Sequence, residues 1–330
     1  MLSTSDIEDW DGRTRVLGLL LIDGFALLSY AAFVEPFRAA NILAERPLYS
    51  WVHISDEGPA AMASNGAEIG VGETVVERPD CDAIFVFAGG DPAGYRHEAT
   101  LAWLRRAASR GVIVGGVSGG PFILARAGLL EGCRVTVHWE HRAALQERFP
   151  DLDVVSDLYV IERRRVTCAG GTAGLDLAVH LIASDHGPAL ARRVAEWFIE
   201  PDPRQARYPQ RVGLQERYGV RNARVLKVLE IIEKTIEDPP LRAELAAAAG
   251  VSIRQIERLF KAHLGATLGQ AMLSARLDHA DYLLQTSPQS VIAVALACGF
   301  KSGSHFSRMF RRRFGRPPGR FRSVAEARWS

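Results

Sequence analysis

Three groups in the first half of the chain have types and spacing suited to nucleophilic chemistry. The run Gly115-Gly116-Val117-Ser118-Gly119-Gly120-Pro121 places a serine among glycines directly after an apolar stretch. A Gly-x-Ser-x-Gly turn between a strand and a helix is the nucleophile elbow of hydrolases. It lifts a hydroxyl above the sheet, where a histidine takes its proton and a carboxylate orients the histidine. His138, in Thr136-Val137-His138-Trp139, offers a base, and Glu35, in Phe33-Val34-Glu35-Pro36, offers an acid. The chain order opposes an α/β-hydrolase triad, in which the acid and then a late histidine follow the serine. Asp176, His180 and His186 do come later, but they share one helical stretch and read as ordinary helix residues. A serine-dependent amidase or hydrolase is the function class these three groups would serve.

The second half carries side chains suited to nucleic acid, and they occur twice. Phe260-Lys261-Ala262-His263-Leu264-Gly265 recurs as Phe310-Arg311-Arg312-Arg313-Phe314-Gly315, and Leu245 to Ser252 recurs as Val294 to Lys301 with an offset of one residue. Each copy reads as a short helix, a Gly turn and a longer amphipathic helix, the grammar of a helix-turn-helix motif. Ile256, Leu259, Phe260 and Leu264 form the inward stripe of the first copy, as do Phe306, Met309, Phe310 and Phe314 in the second. That leaves Arg254, Gln255, Arg258 and Lys261 outward in one, and Ser304, His305, Arg308 and Arg312 in the other. Arg can pair bidentately with guanine and Gln with adenine, while Ser, Lys and His can hold phosphate oxygens. Ser252, and either Ser302 or Ser304, suit the helix N-caps; Lys301 and Ser302 lie in the second turn. For one such helix a solvated face is the simpler reading; two copies in register favour DNA. Joined by the apolar-periodic stretch Met272 to Leu284, the second helices would enter major-groove segments ~34 Å apart.

The elements that must position these residues follow from the hydrophobic pattern. Val16 to Ile22, Tyr49 to Ser55, Ala83 to Ala88 and Val112 to Val117 have the length and apolarity of buried parallel strands. They alternate with helical stretches Leu27 to Ala44, Glu98 to Arg110 and Gly120 to Ala127; Val166 to Ala169, Thr172 to Ser184 and a last helix to about Ile199 complete the series. The pattern predicts a doubly wound α/β sheet, flavodoxin-like, with ligands at the C-terminal strand ends. Residues 201–222 hold prolines, glycines and charges without apolar periodicity and read as a linker; 223–322 are wholly helical in pattern. A disordered start (1–13), a first domain (14–200) and a tail (323–330) complete the expected organisation.

Charge separates the two halves more sharply than the overall +2 suggests. Residues 1–200 hold 18 Arg and no Lys against 27 acidic residues, net −9, whereas 201–330 hold 22 basic and 11 acidic residues, net +11. The basic half is the one that suits an acidic partner. The four cysteines, Cys81, Cys133, Cys168 and Cys298, show no Cys-x-x-Cys spacing, which argues against a structural zinc site or a disulfide framework; no cofactor is expected. The acidic, polar N-terminus lacks signal-peptide character and no apolar run approaches the ~20 residues of a membrane span, so a cytoplasmic location away from membranes is expected.

Both halves resemble known families. Ser290 to Arg322, through Gly299-Phe300-Lys301, His305-Phe306 and Phe314-Gly315-Arg316-Pro317-Pro318, is similar to the second motif of the AraC/XylS transcription regulators; Gly319 and Phe321 depart from the usual residues. The first half, through Gly24-Phe25, Ala88-Gly89-Gly90, the Ser118 elbow, Thr136 to Trp139 and Ala169 to Asp176, resembles the PfpI-like branch of the class I glutamine-amidotransferase-like superfamily. Family enzymes keep a Cys at the elbow. The hydroxyl of Ser118 lacks a thiol's reactive anion, so the resemblance implies a sensor rather than an enzyme. The AraC/XylS resemblance implies a promoter-binding regulator, usually an activator, working with RNA polymerase; a homodimer is expected because most soluble oligomers are two-fold symmetric and regulators often read paired sites. Gly24 to Asn41 and Leu48 to Trp51 look most like regulators of carnitine, glycine betaine or arginine catabolism. Such an effector would carry a carboxylate for the Gly119 and Gly120 amides and a cationic end for Glu35 with Phe25, Phe33 or Trp139. The expected ligand set is Glu35, Gly89, Gly90, Ser118, Gly119, Gly120, His138 and Trp139; Phe33 and Phe37, at i and i+4, read more readily as core.

Overall fold

Apolar strands flanked by amphipathic helices can bury both faces of a sheet only if helices cover each side. The computed structural model, which describes residues 13–75, 80–211, 213–286 and 289–320, folds that way in the first of two compact units, Met1–Arg211 and Val212–Ser330. The first unit runs β1 (Arg15–Leu21), α1 (Leu27–Ala44), β2 (Tyr49–Ser55), β3 (Ala60–Met62), β4 (Glu68–Gly70), β5 (Glu73–Thr74) and β6 (Ala83–Ala88). It continues through α2 (Glu98–Ser109), β7 (Ile113–Ser118), α3 (Gly120–Arg126), β8 (Arg134–Thr136), α4 (Arg142–Arg148), β9 (Asp153–Val155), β10 (Tyr159–Glu162), β11 (Arg165–Cys168), α5 (Ala173–His186) and α6 (Pro188–Trp197).

The main sheet has the order β10-β11-β7-β6-β1-β2-β5, parallel throughout except for the β10 edge. Its order reverses between β1 and β6, the flavodoxin-like switch point at which open α/β sheets bind ligands. Alternate residues feed two cores. Leu17, Leu19, Leu21, Phe85 and Phe87 pack with Phe33, Phe37, Leu177 and Val194 on the face of α1, α5 and α6; Leu20, Ile84, Val86 and Val114 pack with Trp103, Phe122 and Ile123 on the face of α2 and α3. The four main strands, with β11 and their helices, were legible as apolar runs. The short β3, β4, β8 and β9, the antiparallel β10 and α4 were not, because each is too brief to show a period.

The second unit is helical among its described residues: α7 (Leu214–Arg217), α8 (Ala223–Lys234), α9 (Arg242–Ala248), α10 (Ile253–Leu264), α11 (Leu268–Thr286), α12 (Val291–Ala297) and α13 (Gly303–Phe314). It has two cores. Val225, Leu229, Leu245, Ile256 and Phe260 form one, and Val294, Phe300, Phe306 and Phe310 the other; α11 contributes Leu268 to the first and Leu277, Ala280 and Leu284 to the second. The interval 201–222, read from sequence as a plain linker, is more structured than expected: residues 204–211 pack on the first unit and α7 lies in the second. Of the expected disordered start, Arg13 is described and its guanidinium donates to Asp82 at 3.0 Å; residues 1–12 and the expected tail 323–330 lie outside the described residues. Among the described residues no helix is long and apolar enough to cross a membrane, and no cluster of ligating side chains could hold a metal.

Candidate effector site and nucleic-acid interface

Ser118 ends β7 opposite Ala88 of β6 and is 6% exposed. Its φ of +59 is a conformation an L-residue adopts only at a cost of order 1 kcal/mol, the signature of a sharp elbow. Glycines make the turn possible. A Cβ at Gly120 would lie 2.1 Å from the Val86 carbonyl oxygen, one at Gly116 2.6 Å from the Pro121 nitrogen, and one at Gly170 2.7 Å from the Ser118 Cβ. Across the switch point, a Cβ at Gly89 would lie 2.5 Å from the Gly24 carbonyl oxygen, while Gly90 takes φ +59. Gly24, Gly89, Gly90, Ser118 and Gly170 thus gather at the C-terminal strand ends. The His138 amide joins them by donating to the Ser118 carbonyl at 3.3 Å.

Sequence reasoning missed Ser29. It is 2% exposed on the inner side of α1, and its hydroxyl accepts from the Gly171 amide at 2.7 Å, tying α1 to the loop beneath Ser118. The available signal was one hydroxyl at an inward position of an apolar helix.

The geometry does not assemble a triad. Among the described residues no hydrogen bond joins the Ser118 hydroxyl to an imidazole; His138 Nδ1 lies 3.4 Å from the Glu140 carboxylate, and burial lowers the His138 pKa. Asp176 is bonded to Arg204, His180 lies against Tyr159 and His186 against Tyr49. Cys168, at the neighbouring end of β11, is fully buried, and desolvation raises its thiol to about 12, so it is no substitute nucleophile.

Several ligand expectations need correction. Phe25 and Phe33 are fully buried and pack on Tyr30, Phe37, Phe85 and Phe87, so they are core and cannot face a cation. Glu35 sits on the outer side of α1, where its carboxylate accepts from Arg38 at 2.8 and 2.5 Å. The Gly119 amide already donates to the Ala88 carbonyl at 2.9 Å, leaving Gly120 as the first amide of α3 for a carboxylate. Trp139 is the aromatic that meets solvent, 39% exposed, and the Arg211 guanidinium stacks over it at 4.3 Å.

In the second unit α10 and α13 are built alike. Ser252 caps α10 in a box with Gln255, and Ser302, rather than Ser304, caps α13 by accepting from the His305 amide. Gly265 and Gly315 close the helices at φ +66 and +75. Ile256, Phe260, Phe306 and Phe310 are fully buried, and Leu259, Leu264, Met309 and Phe314 partly so. Ser252, Arg254, Gln255, Arg258, Lys261, Lys301, Ser302, Ser304, His305, Arg308 and Arg312 are all exposed. Besides the capping Ser252 and Ser302, two more of them also serve the fold: Gln255 Oε1 accepts from the Ser252 amide, and Lys261 Nζ donates to the Gly265 carbonyl.

Comparison with known proteins agrees with both units. Residues 18–184 match the DJ-1/PfpI family and residues 245–323 a helix-turn-helix domain. The HTH-type transcriptional regulator GlxA of Rhizobium meliloti is 41% identical across 93% of this chain and 95% of its own length. The HTH-type transcriptional regulator CdhR of Pseudomonas aeruginosa is 41% identical across 92% and 90%. A crystal structure of an AraC family transcriptional regulator from Pseudomonas putida shares the first unit's fold, with a TM-score of 0.52, 24% identity, and coverage of 56% of this chain and 100% of that one. The chain therefore belongs to the DJ-1/PfpI family and, across nearly its whole length, to the HTH-type transcriptional regulators that join this α/β domain to an AraC-type DNA-binding domain.

Proposed function

We propose that residues 14–200 sense a small amine or amino-acid derivative and that 223–322 read promoter DNA, the cytoplasmic homodimer acting as an activator of a catabolic operon with RNA polymerase. Carnitine, glycine betaine and arginine are the effectors to try first, given the family resemblance in α1 and β2. The observation that carries the sensing role is the Ser118 elbow: a strained turn enclosed by glycine-only approaches, with no base among the described residues bonded to its hydroxyl. Such a cradle suits binding a polar group better than turnover. Carboxylate contact falls to the Gly120 amide, the Ser118 hydroxyl and His138, with Gly89 and Gly90 forming the opposite lip. DNA reading is assigned to the exposed faces of α10 and α13, whose positions 254 and 304, 255 and 305, and 258 and 308 correspond. A ligand biases the regulator only through a difference in affinity between its arrangements. Thermal unfolding of the full chain with each effector, alongside promoter binding, tests the reading. A stabilising compound that also changes promoter affinity supports it; turnover of amides or esters abolished by Ser118→Ala would replace it with the hydrolase alternative.

A further inference from the structure

Three arginines of the α/β unit gather where no carboxylate meets them. A short 3₁₀ turn, Pro92–Gly94, follows β6 and lies along α3, close enough that a Cβ at Gly119 would meet Pro92 at 3.0 Å. Its Ala93 carbonyl accepts from Arg96 Nη1 and from Arg126 Nη2, both at 2.7 Å, so two guanidinium groups crowd one oxygen. Arg126 stands one turn after Phe122 on the same face of α3, and Phe122 packs edge-on against Phe149 at 6.3 Å. That contact brings in Arg148, the last residue of α4. Burial, then the charges of Arg96 and Arg148, lower the Arg126 pKa below its ordinary value.

An acidic neighbour usually offsets such crowding. Here the nearby acids are engaged elsewhere: Asp91 turns its carboxylate to the Gly94 amide at 3.2 Å, and Glu98 pairs with Arg105. Among the described residues no carboxylate lies within ion-pair distance of Arg96, Arg126 or Arg148. Arg126 Nε is buried without a hydrogen-bond partner, whereas Arg96 and Arg148 are exposed. The cluster thus combines an unmet donor inside with an open approach from solvent. It lies in the half of the chain whose net charge is −9. A field of that sign discourages a long polyanion such as DNA. A compact anion, within a Debye length of about 8 Å, meets chiefly the three guanidinium groups.

We propose that Arg96, Arg126 and Arg148 form a binding site for a phosphate group, carried by a small phosphorylated metabolite or by free phosphate, at the opposite end of α3 from the Ser118 elbow. Planar guanidinium forks match the spacing of phosphate oxygens, and a dianion offsets more of the gathered charge than a single carboxylate does. Arg96 Nη2 and Arg126 Nη1 make no hydrogen bond to the described residues and are the donors left for the ligand; Arg148 closes the site from α4. An occupant bridges the Pro92–Gly94 turn, α3 and α4, and so stiffens the turn that follows the Gly89-Gly90 lip. The site is independent of what the elbow binds.

Calorimetry and thermal unfolding of the full chain test this, with inorganic phosphate and glycerol phosphate as probes and sodium chloride at matched ionic strength as the control. Phosphate should bind saturably and raise the unfolding midpoint by about 4 °C at about twenty times its dissociation constant, an effect chloride does not reproduce. Arg126→Gln should weaken binding by about tenfold or more and Arg148→Gln by about three- to tenfold, with helix signal and promoter binding as in the parent. Arg126→Lys, which keeps the charge but loses the fork, should fall between. Tighter binding of glycerol phosphate would identify a phosphorylated metabolite as the source of the group, and tighter binding of inorganic phosphate the free ion. Should Arg126→Gln disturb the fold, Arg148→Gln at its exposed position carries the test alone. Equal stabilisation by chloride, or phosphate affinity that survives these substitutions, overturns the proposal. Promoter affinity lost in the variants while phosphate affinity is kept overturns it too, and would make the arginines DNA contacts.

Discussion

Ile199 is the residue whose conformation agrees least with its chemistry. It closes α6 in the left-handed region at φ +58, where a branched Cβ crowds the backbone, and its side chain is 90% exposed, so no packing offsets the strain. Ile199→Gly should therefore stabilise the protein by about 1 kcal/mol in urea unfolding. A loss of stability would mean the side chain has a partner. His141 illustrates the opposite balance. Burial, reinforced by the charge of His138, lowers its pKa to about 4 from the ordinary 6.5. The unfolded chain thus binds the proton more readily. The contribution is complete above about pH 6.5 and fades as pH falls toward 4, amounting to order 2 kcal/mol for a side chain still partly in contact with solvent. Replacing His141 with Gln should flatten the stability profile between those values; an unchanged slope would assign it to His138 and His180 instead. Sequence pattern read Phe33 as core, as it is, but offered Phe25 and Glu35 to a cation, where the one is fully buried and the other is paired with Arg38. Residue type shows that an aromatic could hold a cation, whereas only packing decides whether its face is free.

At the level of elements, the two helix-turn-helix copies separate stability from recognition. Phe310 lies among Phe306, Phe314 and the α11 residues Leu277, Ala280 and Leu284, so Phe310→Ala should cost about 3–5 kcal/mol. Loss of helix signal at lower temperature would show it. Arg258→Ala and Arg308→Ala, on exposed positions of α10 and α13, should leave melting unchanged and weaken specific promoter binding by about 1–3 kcal/mol each if they read guanine. Equal weakening on random DNA would make them phosphate contacts. These helices were legible because period, caps and duplication all agreed. Residues 204–211 were not, since a strap held by side-chain hydrogen bonds and an aromatic stack leaves no period in the sequence. The small strands failed for the related reason that three residues cannot display alternation.

Across the whole molecule, charge and fold divide in nearly the same place. The α/β half carries a net −9 up to residue 200 and the remainder +11. Affinity for random DNA should accordingly fall steeply with salt, and Arg311→Gln with Arg312→Gln should reduce the slope by about one for each phosphate contact removed. A slope that these changes leave intact would place the phosphate contacts elsewhere.

The same division extends to sulfur. All four thiols are free and buried, three in the α/β unit and Cys298 alone among Val294, Phe300 and Phe306 in the helical one. Burial raises Cys81, Cys168 and Cys298 to about 12 and Cys133 in the same direction, so the native chain should be nearly inert to alkylating reagents. Each alkylation then records one opening event. Pulse labelling followed by peptide mapping would time the unlocking of the DNA-reading motif through a single sulfur, with the other three serving as an internal clock for the sensor.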